Sequence, residues 1–323
     1  MRLQFLDLDG THMAMIIPPR LSWRAFLPKH WGAWLIIAFL FTLSLLPTRL
    51  SWWLGRCIGR LAKRLLKSRR HIAQRNLKLC FPDASEQQLT QWVDETFERF
   101  GLAIIDTATA WFWPQKRFAK YMHVEGGNYL HKLREEDPKG GILVISMHFY
   151  TLEWHARMYG TIDPGVGVYR PNSNPVYEHF QHRARVRCNH YLVNRSDFRG
   201  MIKALRQGEA LWYAPDHDYG SHKSSVFVPF FAVPKASTVT GTSALAKVPG
   251  VRLLISYTRR HTDRPGYTLV IKPLEGNYPS GDITTDAALV NQHIETAIKE
   301  QIPEYMWIHR RFKSRPEGEP SVY

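Results

Sequence analysis

Hydrophobic and polar positions change character three times along the chain. From Trp31 to Thr48 the run WGAWLIIAFLFTLSLLPT carries no charge. As a helix rising 1.5 Å per residue it would extend about 27 Å, just short of a bilayer's hydrocarbon core. It predicts a membrane-anchoring helix over 31–48 that either spans or lies in the interface, with a buried core helix as the bland alternative. Trp31 and Trp34 at one end, and Trp52 and Trp53 beyond the other, stand where interfacial anchors stand. Residues 1–30 form a separate N-terminal segment. The length of that segment, and the lack of a small-residue cleavage site after the run, argue against a cleaved leader.

The next stretch reverses the composition. Between Arg49 and Lys78 there are ten Lys or Arg and no acid. Arg56, Arg60, Lys63, Arg64, Lys67 and Arg70 alternate at helical spacing with Leu54, Ile58, Leu61, Leu65 and Leu66. This predicts a basic amphipathic helix over 49–80, suited to an anionic lipid surface. The positive excess places whatever follows on the cytoplasmic side of a membrane.

From 81 to 323 the pattern is that of a globular domain. Ser85 with Gln88 three residues on forms a capping-box pattern before a long helix. Apolar runs then alternate with helical periodicity. Strands are expected at 141–147, 165–169, the ALWYAP run from Ala210, the VFVPFF run from Val226, the VRLLISYT run from Val251 and the YTLVIKP run from Tyr267. Helices are expected from Thr151, from about Val176, near Phe198–Gln207, over Ala236–Lys247 and near Thr285–Gln301. The alternation predicts an α/β fold with a largely parallel central sheet flanked by helices. The final residues, SRPEGEPSVY, read as a loose tail.

Lys and Arg outnumber Asp and Glu by 43 to 28, a net +15 over 323 residues. Such a balance calls for an anionic partner: nucleic acid, acidic lipid headgroups or an acidic carrier protein. The basic block abuts an apolar span and no nucleic-acid motif is present, which excludes nucleic acid. Cys57, Cys80 and Cys188 are odd in number and far apart, giving neither a disulfide framework nor a CxxC metal site.

The candidate chemistry gathers where predicted strands end, the usual place for sites in such sheets. The run GGILVISMHFYTLE delivers His148 at a strand end and Glu153 five positions later. Histidine is suited to moving a proton near neutral pH, and a carboxylate can fix its tautomer. The two meet if His148 lies on the turn before a helix and Glu153 within its first turns. The loop GVYRPNSNP offers Arg170, Asn172 and Asn174, fit to hold a phosphate or carboxylate. The turn WYAPDHDYG carries Asp216, His217 and Asp218. Asp216 is expected to bond backbone or substrate hydroxyls or to buttress an arginine, and no other segment supplies ligands for a metal. The basic cluster WIHRRFKSR adds Arg310, Arg311, Lys313 and Arg315 for phosphate or lipid. A GxSxG elbow is missing and no cysteine neighbours His148, so covalent catalysis is not indicated.

This constellation resembles the late acyltransferases of bacterial lipid A biosynthesis, within the lysophospholipid acyltransferase-like superfamily. The resemblance covers about 29–323 through HWGAWL, RNLKLCFP, AWFWP, HFYTLE, GVYRPNSNP, MIKAL, WYAPDHDYG, SVFVPFFAV and YMWIHRRFKSRPEG. Three of these, AWFWP, YAPDHDYG and HRRFKSRPEG, look closer to the lauroyl or palmitoleoyl branch than to the myristoyl one.

The resemblance implies transfer from an acyl–acyl carrier protein to the hydroxyl of a 3-hydroxyacyl chain on a Kdo-bearing lipid A precursor. No cofactor is implied beyond that co-substrate. The implied location is the bacterial inner membrane with the catalytic domain facing the cytoplasm. His148 would take the hydroxyl proton and Glu153 would orient its ring. The oxyanion would be held by backbone N–H groups at the helix start after His148, or by Arg170. Arg170, Asn172, Asp216 and Arg310 would bind substrate. The same residues also suit a glycerophospholipid acyltransferase, and a non-catalytic membrane-surface protein would share the architecture alone.

Overall fold

A computed structural model describes residues 20–220 and 224–323; most of the expected N-terminal segment, residues 1–19, lies outside them. Two 3₁₀ turns, Trp23–Phe26 and Pro28–His30, lead into helix α1, Trp31–Leu45. The helix stops where Leu46 turns extended before Pro47, whose ring cannot continue it. At 15 residues it is about 22 Å long, and no helix among the described residues is long and apolar enough to cross a membrane. One side of α1 is buried through Ala33, Ile37, Leu40 and Leu43, while Leu35, Ile36, Phe39, Phe41 and Leu45 remain exposed.

The basic stretch forms two helices rather than one, α2 (Thr48–Leu65) and α3 (Lys67–Cys80), broken at Leu66 where ψ turns to 59°. Helix α2 packs closely on α4 (Glu86–Phe112). Gly55 and Gly59 meet Gly101 and Phe97 so tightly that a methyl at Gly59 would overlap the carbonyl oxygen of Phe97. Ser85 caps α4 as its sequence predicts: Gln88 N–H donates to Ser85 Oγ at 3.2 Å, and Ser85 N–H to Gln88 Oε1 at 3.0 Å.

The remaining elements are α5 (Gln115–Ala119), β1 (Met122–Glu125), α6 (Gly127–Glu136), β2 (Ile142–Ile145), α7 (Leu152–Ile162), β3 (Val166–Tyr169), α8 (Pro175–Arg185), β4 (Tyr191–Asn194), α9 (Phe198–Arg206), β5 (Ala210–Tyr213), β6 (Ser225–Phe230), β7 (Val233–Val239), α10 (Gly241–Ala246), β8 (Arg252–Arg260), β9 (Tyr267–Pro273) and α11 (Ile283–Glu300). Seven strands form one sheet in the order β1-β9-β8-β2-β5-β3-β4. Every pairing in it is parallel except β8 with β9. The fold is therefore α/β with a mostly parallel central sheet between helices. Strand β2 shows why its run lacks alternation: Leu143 and Ile145 enter one core layer, Ile142 and Val144 the other.

Two expectations fail locally. Residues 236–239 belong to the β6–β7 hairpin, so the helix expected over Ala236–Lys247 begins only at Gly241. The segment expected as a loose tail is tied down. Val322 O accepts from Arg75 Nε at 2.7 Å, and the Tyr323 hydroxyl lies between Asn76 and the Phe312 N–H. Cys80 is buried in the core, and all three cysteines are free thiols.

Candidate active site

The end of β2 and the end of β5 lie side by side. Their parallel register pairs Ile142 with Ala210 and Ile145 with Tyr213, an offset of 68 residues. Carried three residues further, the same offset joins His148 to Asp216. Asp216 Oδ1 lies 2.8 Å from His148 Nδ1, and Oδ2 accepts the His148 backbone N–H at 2.9 Å. One carboxylate thus grips both the ring and the main chain of the histidine.

Asp216 is fully buried, and burial alone would raise its pKa. The charge and the two hydrogen bonds of His148 reverse this and hold the carboxyl below the usual carboxylate range. The His148 side chain keeps 20% of its surface. This is the arrangement of a base whose tautomer is set by a buried carboxylate. Of the uses expected for Asp216 it takes the backbone one, through the His148 N–H, and its other oxygen holds the His148 ring, a partner not expected for it.

Glu153 does sit in the first turn of α7, with His148 on the turn before it. Its carboxylate serves another partner. Arg185, in the last turn of α8, donates from Nη2 to Glu153 Oε1 at 2.6 Å, and Trp111 Nε1 donates to Oε2 at 2.9 Å. Burial would lower the pKa of Arg185, but Glu153 beside it raises the value instead. A withdrawn guanidinium needs this counter-charge, whereas His148 already has Asp216. The expected orienting contact from Glu153 to His148 is thus replaced.

The loop after β3 is tied by its asparagines. The Asn172 N–H donates to Glu178 Oε2 at 2.7 Å and its Oδ1 accepts from the Asn174 N–H. Asn174 in turn caps α8. Arg170 is exposed and makes no ion pair or hydrogen bond among the described residues. Arg310 is exposed too, with its guanidinium 5.7 Å from the ring centre of Tyr323, while its neighbour Arg311 is buried over Phe230.

The C-terminal segment braces the histidine turn. Phe149 bridges to Tyr305, Tyr150 N–H donates to Glu304 O at 2.8 Å, and Met306 N–H to His148 O at 3.1 Å. Glu304 is itself held by Arg260 and Arg99. The N–H groups of His148, Phe149, Tyr150 and Leu152 are all bonded within the fold. That removes these four backbone groups as oxyanion donors.

The face of the His148 ring is covered as well. His217 stacks on it at 3.5 Å between ring centres and 12° between planes, and His309 stacks on His217 at 4.1 Å. Nitrogen or oxygen atoms of His148, Asp216 and His217 lie within 4.8 Å of one another. Ring lone pairs point in the ring plane, however, so two parallel stacked rings do not converge on one ion. The set fits a base better than a metal. A small apolar cavity of about 40 Å³, lined by Leu152, Tyr159, Val166, Leu192, Trp212 and Arg185, lies nearby.

Residues 19–314 match the family model of bacterial lipid A biosynthesis acyltransferases. The chain belongs to this family. It is 45% identical to the lipid A biosynthesis lauroyltransferase of Escherichia coli (strain K12), over 94% of this chain and 99% of that one. Identity to the palmitoleoyltransferase of the same organism is 40%, over 93% and 97% of the two chains. Identity to its myristoyltransferase is 28%, over 92% and 91%. The gap places this lipid A acyltransferase in the lauroyl/palmitoleoyl branch.

The residues that sequence reasoning missed are Arg185, Trp111 and His309, and His217 was placed on its turn without its stacking role. Arg185 stands between Arg183 and Arg187 with nothing local to single it out, and Trp111 and His309 lie inside quoted motifs whose partners are distant in the chain.

Proposed function

We propose that this lipid A acyltransferase moves an acyl chain, laurate or one of similar length, from acyl–acyl carrier protein to a hydroxyl of a 3-hydroxyacyl chain on Kdo2-lipid IVA. The observation that carries the mechanism is the buried Asp216 carboxylate on His148 Nδ1. It leaves Nε2 as the atom that takes the acceptor's proton while the hydroxyl oxygen attacks the thioester carbonyl. The carrier's thiolate leaves and recovers that proton from His148. Asp216 stabilises the transient imidazolium without becoming protonated. Arg170, exposed and unpaired among the described residues, is available for the oxyanion or an acceptor phosphate, and Arg310 for a second anionic group. Glu153 acts through Arg185 rather than on the base.

The exposed apolar side chains of Trp23, Phe26, Trp31, Leu35 and Phe39, with Leu61 and Leu65 beside Arg64 and Lys67, support residence on an anionic membrane surface. We read the enzyme as lying on the cytoplasmic leaflet of the inner membrane, where a charged carrier and a lipid acceptor can both reach it.

The test uses the full chain, a mixture of acyl-carrier thioesters of different lengths, and two acceptors in competition, Kdo2-lipid IVA and lysophosphatidate. Products are read by mass spectrometry. Acylated Kdo2-lipid with one dominant chain length is expected, and His148→Ala should lower the rate by about 10²–10⁴-fold. Preferential acylation of lysophosphatidate would overturn the acceptor, and an undiminished His148→Ala rate would overturn the mechanism.

A further inference from the structure

Three imidazoles from three separate segments form one column: His148 after β2, His217 after β5 and His309 in the C-terminal segment. The spacings are 3.5 and 4.1 Å and the successive planes differ by only 12° and 17°. Asp216 fixes the His148 ring only along one edge, through Nδ1. A hydrogen bond at one edge leaves the ring free to rock about it. A flat group against the face removes that freedom.

The outer nitrogens of the column hold no hydrogen bond among the described residues. His217 Nε2 and His309 Nε2 are both withdrawn from solvent and bonded to nothing among the described residues. Buried polar atoms are normally paired, so two orphans beside a reactive group need an account. Stacking engages only the ring faces, so these unpaired nitrogens are not what holds the column together.

We propose that His217, backed by His309, is a positioning residue that holds the plane of the His148 ring through face-to-face stacking. The inference rests on the reading of His148 as the base. Charge is consistent with it. Burial first, and then the nearby charges of His148, His309 and Arg311, push His217 well below the usual histidine range, and His309 is pushed down to about 4 for similar causes. Both rings are therefore neutral when His148 takes its proton. A neutral π face attracts the imidazolium that forms, where a second cation would repel it.

The experiment compares His217→Ala, His217→Phe and His217→Asn in the full chain, with kcat, donor KM and melting temperature measured for each. Phe keeps a flat ring without nitrogen, and Asn keeps a nitrogen without a ring. His217→Ala is expected to lose roughly 3- to 10-fold in kcat, the scale of one aromatic pair, with KM nearly unchanged. His217→Phe should recover most of that loss and His217→Asn little of it. Recovery by Asn but not Phe would overturn the proposal, as would wild-type kcat in His217→Ala. If the variants at 217 do not fold, the same series at His309, further from the base and partly exposed, decides by the same ring dependence. A parallel His148→Ala assay separates the two levels. Full activity there sinks the base itself, whereas an inactive His148→Ala beside a ring-independent 217 series sinks only the stacking role.

Discussion

Arg185 reaches both oxygens of Glu153, from Nη2 at 2.6 Å and from Nε at 3.4 Å, and joins the helix after β3 to the helix after His148. Both side chains are mostly covered, at 16% and 12% exposure. Removing one partner of such a pair leaves a charge withdrawn from water and uncompensated, which costs about 3–5 kcal/mol. Glu153→Gln and Arg185→Met should each destabilise on that scale. The double variant should be less destabilised than the sum of the two. Melting of all four proteins in one detergent checks this, and strictly additive losses would mean the charges are not coupled.

Asp216→Asn keeps the shape of the side chain but replaces the acceptor that sets the tautomer of His148. The ring can then present N–H rather than a lone pair to the acceptor hydroxyl. We expect kcat to fall by about 10²–10⁴-fold with donor KM little changed. A turnover assay on folded protein is sufficient. Retention of a tenth or more of the rate, roughly, would show that Asp216 is not the tautomer-setting group.

Gly59 and Gly32 make a matched pair on neighbouring helices. A methyl at Gly59 overlaps the main chain of Phe97, so Gly59→Ala must push α2 from α4 and should cost about 1–3 kcal/mol. Nothing lies within 4 Å of a methyl at Gly32, in α1. Gly32→Ala should be neutral or stabilise by up to about 1 kcal/mol. Thermal unfolding of the two variants should move in opposite directions or separate by several degrees.

His155 is buried against Ser256 and Trp212, and burial lowers its pKa to about 3. Above about pH 6.5 it is neutral in both folded and unfolded chains, so it contributes no pH dependence there. Below that value the unfolded chain binds a proton that the folded site refuses. Stability therefore falls by about 1.4 kcal/mol per pH unit as pH drops from about 6.5 toward 3. His155→Gln should show a shallower decline between pH 7 and pH 5 by about one proton's worth. An equal slope in wild type and variant would place the effect elsewhere.

Leu35, Phe39 and Leu45 are exposed on α1, and fully burying each is worth roughly 1.5–3 kcal/mol. The intact protein should float with anionic vesicles and resist release by salt, because this burial is not screened. A Leu35→Ser, Phe39→Ser, Leu45→Ser variant should be held by its basic residues alone and come off as salt rises. Salt-resistant flotation of the triple variant would show that α1 does not hold the membrane.

Local pattern was enough for the α/β alternation, the strand that leads to His148, though it stops at Ile145, the cap at Ser85 and the acid-free basic stretch. Each depends on neighbours within a few residues, through the strand or helix period or a side chain reaching its own backbone. The motif segments carried the family for the same reason, since they are contiguous. What tertiary structure decided is who meets whom. Asp216 rather than Glu153 holds His148 because β5 lies beside β2 in register, and strand order leaves no mark on either strand's own composition. Glu153 and Arg185 find each other because two helices cross, and α1 stops short of a bilayer's width at Leu46–Pro47. Tyr323 closes on Asn76 across an interval of 247 residues, so a tail rich in Pro and Gly is nonetheless fixed. A charged or aromatic side chain has many acceptable partners locally, and only the packed arrangement of distant elements selects one.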